Sequence, residues 1–149
     1  EYINKYFDRF PGVKKYMDNV VSNAKKDGFV RTIFNRLRYI KGINSSNYHR
    51  RSFAERAAIN TPIQGSAADI MKIAMIEVYN ALKDRPDLKT KMLLQIHDEI
   101  VFEVAKSELN KVAKLVKEKM EKAVELKVPV IVDLKTGKNL KEQTEYDIN

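Results

Sequence analysis

A chain of 149 residues, 44% hydrophobic and 32% charged, has the composition of one globular domain and not of a disordered segment. It holds no cysteine, which excludes disulfides and thiolate metal sites. It also holds no apolar run long enough to cross a bilayer and no signal-peptide pattern at its start. The net charge of +8 lies wholly in the first third: residues 1–51 carry 12 Lys/Arg against 4 Asp/Glu, and residues 52–149 carry 16 of each.

The chain enters directly into an amphipathic pattern. Val13, Tyr16, Met17, Val20, Val21 and Ala24 recur at helical spacing between Pro11 and Gly28, which predicts a helix over residues 11–27. Phe29 to Ile40 reads as extended, with its arginines on irregular or hairpin structure. From Arg31 to Arg51 there are six basic residues (Arg31, Arg36, Arg38, Lys41, Arg50, Arg51), no acidic one, and interleaved Phe34, Tyr39 and Tyr48. That segregation suits a polyanion, because cations displace counterions condensed on a phosphate backbone. The plainer alternative is a soluble basic surface. Gly42 to Tyr48 reads as a loop and as the segment expected to move most.

Two capping boxes follow. Ser52-x-x-Glu55 is expected to open one short helix and Thr61-x-x-Gln64 the next. Pro62 fits the first position of that second helix and would end the first near Asn60. Ile63, Ala67, Ile70, Met71, Ala74, Val78 and Leu82 would form its buried face, with Pro86 closing it. Leu93 to Phe102 then reads as two apolar strands folded back on each other around His97, Asp98 and Glu99. Ser107 can cap a third long helix whose buried face runs from Leu109 to Val124. Val128 to Val132 reads as a short strand, and Gly137 onward as a fraying end. The expected fold class is α+β, a small antiparallel sheet with long helices packed on it.

Two groups of residues could carry chemistry. Arg56, Asn60 and Gln64 are spaced i, i+4, i+8, and as a row of donors could sense the acceptors that every base pair offers in the minor groove. The break expected at Pro62 makes that alignment approximate. Their ordinary alternative is an Arg56–carboxylate pair with Asn60 and Gln64 as caps. Asp98 and Glu99 place two like charges at a bend, which fits either a common acidic turn or a Mg²⁺ site. Strand alternation aims only one of the two directly at a metal, and Asp98 is the shorter and stiffer. His97 could donate to a phosphate or sugar, or simply sit satisfied at a sheet edge.

Taken together these residues resemble a known family. Gln95-Ile96-His97-Asp98-Glu99 resembles the motif C hairpin in the palm of family A DNA polymerases, of the bacterial DNA polymerase I type. The run Arg51 to Ile70 is similar to the segment that precedes that hairpin, and Tyr6 to Val13 resembles the end of the fingers after the nucleotide-binding helix. Thr32 to Tyr39 is similar to a Thr-Leu-x-Gly-Arg-Arg-Arg-Tyr pattern, with Asn35 where Gly is frequent and Leu37 where the middle Arg stands. Near the end, Leu140 stands where the family often has Trp. The resemblance covers nearly the whole chain.

It implies that residues 1–51 are the end of the fingers and residues 52–149 the C-terminal part of the palm. Asp98 would be a ligand of a catalytic Mg²⁺ pair, with Glu99 in the same acidic site and His97 near the primer 3′ end. Arg56, Asn60 and Gln64 would donate to the minor-groove side of the primer–template duplex, and Arg31, Arg36 and Arg38 would be further nucleic-acid contacts. The implied partners are primer–template DNA and deoxynucleoside triphosphates, in a bacterial cytoplasm and at the nucleoid, with no membrane. The family's other metal-binding aspartate, in an Asp-Tyr-Ser-Gln-Ile-Glu type of strand, does not occur in this sequence, and neither does the helix that grips the nucleotide. These residues alone are therefore expected not to polymerise, and the sheet face that would meet the missing strand is expected to promote self-association. A non-catalytic basic nucleic-acid-binding module is the alternative.

Overall fold

The computed structural model describes residues 2–148, which fall into two compact units, Glu1–Asp69 and Ile70–Asn149. The first opens with helices α1 (Tyr2–Arg9) and α2 (Pro11–Asp27). Pro11 starts α2, where its missing N–H costs nothing, and Gly28 at φ +80 ends it, donating its N–H to Ala24 O. Strands β1 (Phe29–Arg31) and β2 (Leu37–Tyr39) pair antiparallel, Val30 opposite Arg38. Asn35 takes φ +62 in the connecting turn, a left-handed conformation that Asn tolerates better than other non-glycine residues.

The loop at 42–48 is tied down rather than loose. Ile43 is buried with Ala24, Val30, Ile40, Ala54 and Ala58 in the core of this unit. Asn44 Nδ2 donates to Lys25 O at 2.9 Å, and Arg51 Nη1 donates to Ser45 O at 2.8 Å. Asn47 Oδ1 accepts the Arg50 N–H at 3.1 Å, so Asn47 caps the helix that follows.

That helix, α3, runs unbroken from Tyr48 to Lys83 with Pro62 inside it. The two short helices expected from the capping boxes are therefore one. Ser52 lies within the helix, where its hydroxyl accepts from Arg56, and Glu55 pairs with Lys25 at 2.6 Å. Thr61 Oγ1 donates to Ala57 O at 2.7 Å and Ser66 Oγ donates to Pro62 O, so side-chain hydroxyls bond the helix carbonyls on either side of the proline. The buried face also differs from expectation. Ile63 and Ala67 face solvent, while Ala54, Ala58, Thr61, Ser66 and Asp69 are buried.

In the second unit the α3 residues Ala74 and Val78 are buried, and Val78 joins Val112 and Val116 in a core packed by Leu82, Leu88, Met92, Phe102 and Leu115. Strands β3 (Lys91–Ile96) and β4 (Glu99–Glu103) form an antiparallel hairpin with a register shift between Met92 and Leu94. Helix α4 (Leu109–Glu121) follows a 3-10 turn, and Ser107 makes no capping bond to it. The Glu108 carboxylate instead accepts from Lys89 N and Thr90 Oγ1, fixing the entry to β3.

Val128 to Val132 is not a strand. Pro129 lacks a donor, and the segment is held by side chains instead: Lys117 Nζ donates to Val132 O at 2.5 Å and Val132 N donates to Glu121 at 3.1 Å. The stretch expected to fray from Gly137 is a hairpin as far as Glu145, and Asn149 lies outside the described residues. Strands β5 (Lys135–Gly137) and β6 (Gln143–Glu145) pair antiparallel around a turn in which Asn139 Oδ1 accepts from Lys141 N and Glu142 N. Gly137 is required there, since a Cβ would stand 2.0 Å from Glu142 O. The fold is α+β as expected, but among the described residues the strands form three separate two-stranded hairpins and not one sheet.

Candidate nucleic-acid interface and acidic turn

Because α3 is continuous, Arg56, Asn60 and Gln64 occupy one helical stripe, and all three are exposed. Arg56 Nη1 donates to Ser52 Oγ at 2.8 Å and pairs with no carboxylate among the described residues, and neither Asn60 nor Gln64 stands at a helix end. The ordinary roles considered for the three, an ion pair and two caps, are therefore absent. Phe53 and Ile63 add exposed apolar surface to the same region of the helix.

On the other side of α3 the β1–β2 turn is locked down. Arg36 Nε meets Asp69 Oδ1 at 2.8 Å, and Arg36 Nη2 donates to Gly65 O at 3.1 Å. Arg38 Nη1 donates to Thr61 Oγ1 at 2.9 Å, and the Ile33 N–H donates to Ser66 Oγ at 3.0 Å. Gly65 permits this approach, because a Cβ there would stand 2.8 Å from Thr32 Cγ2. Arg31 is exposed, its guanidinium stacked over Phe29 at 5.0 Å. Of the three arginines picked out in the sequence, Arg31 reaches the Asn35 carbonyl of its own turn at 3.5 Å, while Arg36 and Arg38 bond to α3. Thr61, Ser66 and Asp69 escaped sequence reasoning as site-shaping residues. Their signal was present, as small polar residues spaced along the helix beside a proline, but it reads equally well as solubility.

The acidic turn lies at the end of the β3–β4 hairpin. Ile96 is opposite Glu99, so the two-residue loop is His97–Asp98 and Glu99 is the first residue of β4. This differs from an Asp98-Glu99 turn, and it answers the question of how a tight turn tolerates these residues. His97 takes the left-handed conformation at φ +53, at a cost of roughly 1–2 kcal/mol for a non-glycine residue. Gln95 Nε2 donates to His97 O at 2.5 Å and steadies it.

Asp98 and Glu99 are both exposed, and among the described residues no hydrogen bond or ion pair engages either carboxylate. Some other carboxylates of this unit are paired. Arg85 and Lys111 hold the Asp87 carboxyl well below its ordinary range, and Glu121 is lowered by the Val132 N–H and Lys117. Two adjacent carboxylates with no countercharge fit a hydrated Mg²⁺, which takes one or two protein carboxylates and fills its shell with waters and phosphate oxygens. No group of three or more His, Cys, Asp or Glu that could hold a metal ion occurs among the described residues. Beside the turn the hairpin exposes Leu94 at 50% and Ile96 at 40%.

The model of DNA polymerase family A matches residues 1–142. DNA polymerase I of Caldicellulosiruptor bescii is 56% identical over 142 residues, covering 95% of this chain and 17% of that protein. DNA polymerase I of Streptococcus pneumoniae is 58% identical over 136 residues, covering 91% of this chain and 15% of that protein. The POL domain of Pol1 from M. smegmatis, solved in complex with DNA primer-template and dNTP, is similar with a TM-score of 0.82 at 50% identity, over 85% of this chain and 22% of that one. The chain thus spans 15–17% of the length of these curated relatives. Motif, fold and relatives agree over almost every residue: the chain belongs to DNA polymerase family A.

Proposed function

We propose that this chain is the C-terminal part of a DNA-directed DNA polymerase, which adds deoxynucleotides to a primer 3′-hydroxyl and releases pyrophosphate. The observation that carries the proposal is the His97–Glu99 turn, whose two carboxylates meet no hydrogen bond or ion pair among the described residues, in a chain of this family. Residues 1–51 would be the end of the fingers and residues 52–149 the C-terminal part of the palm. Asp98, with Glu99 beside it, would hold the Mg²⁺ pair. Bound there, the ions would supply positive charge to the phosphoryl-transfer transition state.

The remaining roles belong to this chain's own side chains. His97 would orient the primer terminus from the strained first position of the turn. Arg56, Asn60 and Gln64 would donate to minor-groove acceptors behind that terminus, sensing pair geometry without reading sequence. Arg31 and the other basic residues before Arg51, apart from Arg36 and Arg38, which bond to α3, would supply salt-sensitive attraction to the duplex. The partners would be primer–template DNA and deoxynucleoside triphosphates, at the nucleoid of a bacterial cytoplasm.

The acidic turn is one side of a two-metal site, so the 149 residues alone should not extend a primer. Incubating the purified chain with Mg²⁺, primer–template and the four deoxynucleotides should leave the primer unextended, and elongation would overturn this. Leu94 and Ile96 should also drive self-association of the isolated chain; a monomeric light-scattering mass across a wide concentration range would count against that. A binding module without chemistry is the reading favoured by the basic first third alone. It predicts that Asp98→Ala in the full-length protein changes nothing, whereas the polymerase reading predicts loss of extension.

A further inference from the structure

Pro62 lies between two members of the donor row, Asn60 and Gln64. It lacks the N–H that would bond Ala58 O, and its ring crowds that carbonyl, a combination worth about 3 kcal/mol against the helix. A change of bend at Pro62 would alter the spacing and direction of Asn60 relative to Gln64. The β1–β2 turn bonds α3 at four residues around this weak point: Thr61 on one side, and Gly65, Ser66 and Asp69 on the other. All four bonds fall on the side of the helix away from the exposed row.

We infer that Arg36 and Asp69 are positioning residues that splint α3 across Pro62 and so align the row Arg56, Asn60 and Gln64, and that Arg36 is not itself a contact to DNA. The inference rests on the reading of that row as a duplex contact. The Asp69 side chain is 11% exposed, and a carboxylate so enclosed needs a cation close by. Arg36 supplies it with Nε, while Nη2 reaches the Gly65 carbonyl. Two directions of the planar guanidinium fork are thereby fixed, which a lysine could not reproduce. Arg38 completes the splint through Thr61, whose hydroxyl also donates to Ala57 O ahead of the proline.

The test uses the full-length polymerase with Arg36→Gln, Asp69→Asn, the double variant and Arg36→Lys. Extension is measured from matched and mismatched primer termini, and primer–template affinity is measured against salt concentration. Each single variant should lower the preference for a matched terminus about tenfold, and the double variant should lower it about tenfold in total rather than a hundredfold, because the two residues act as one unit. Arg36→Lys should not rescue. The salt dependence should stay unchanged in all of them. A loss of about one phosphate contact from the salt slope in Arg36→Gln, with Asp69→Asn normal, would overturn the inference and make Arg36 a DNA ligand. Gly65→Ala, which pushes the turn off the helix without removing a charge, must lower the preference too if the single variants fold poorly. Asn60→Ala and Gln64→Ala separate the two readings. If both keep full preference the duplex-contact reading falls with the splint; if they lose it and the Arg36 and Asp69 variants do not, the splint alone falls.

Discussion

The β1–β2 and β3–β4 hairpins are built alike and end differently. Each is two short antiparallel strands with a non-glycine residue at positive φ in its turn, Asn35 in one and His97 in the other. In the first, the charged side chains around the turn bond to α3, through Arg36 to Asp69 and Arg38 to Thr61. In the second, Asp98 and Glu99 bond to nothing among the described residues. A charged residue that already has a partner holds the fold in place, whereas one held on a rigid turn without a partner is available to a ligand. Composition alone points to the basic turn as the DNA contact and reads the acidic one as ordinary surface.

The largest effect that would sharpen this contrast lies at the acidic turn. Asp98→Ala in the full-length polymerase should cut extension by at least about a thousandfold while leaving the thermal melt unchanged, since the side chain holds nothing in the fold. A large drop in the melting temperature would break the comparison. Next is the clamped hairpin. Gly65→Ala places a Cβ 2.8 Å from Thr32 Cγ2 and should cost about 1–3 kcal/mol, read from the urea midpoint. Asn35→Val, which forces a β-branched residue to φ +62, should cost about 1–2 kcal/mol, whereas Asn35→Gly should be close to neutral.

The smallest effect is a pH dependence. Glu121 is held below its ordinary range, first by the Val132 N–H and then by Lys117. A carboxylate lowered in the fold stabilises it fully above the ordinary glutamate range, and that contribution disappears as pH falls through the range and below it. Protection of the Val132 amide, taken relative to its intrinsic exchange rate, should therefore fall as pH drops through the ordinary glutamate range and below it, and stay level between about pH 6 and 8. Glu121→Gln should abolish that step.

Much of the fold was legible from local chemistry. Pro11 and Gly28 bracket α2, alternation and length give the β3–β4 strands, and the motif around Asp98 is long enough to name the family. The misreadings share one cause. Thr61 and Pro62 look like a helix start, Pro129 lies in what looks like a strand, and Gly137 begins what looks like a loose tail. In each case a partner distant in sequence decided the outcome: the β1–β2 turn against α3, Lys117 and Glu121 against Val132, and β6 against β5.

By itself the sequence determined the family, the helix and hairpin signals, and which residues carry charge, because caps, periodicity and motifs act over a few residues. Only the tertiary structure decided which of those charges are already paired. An ion pair such as Arg36–Asp69 joins residues 33 apart, and no local pattern records where such a partner will come to rest.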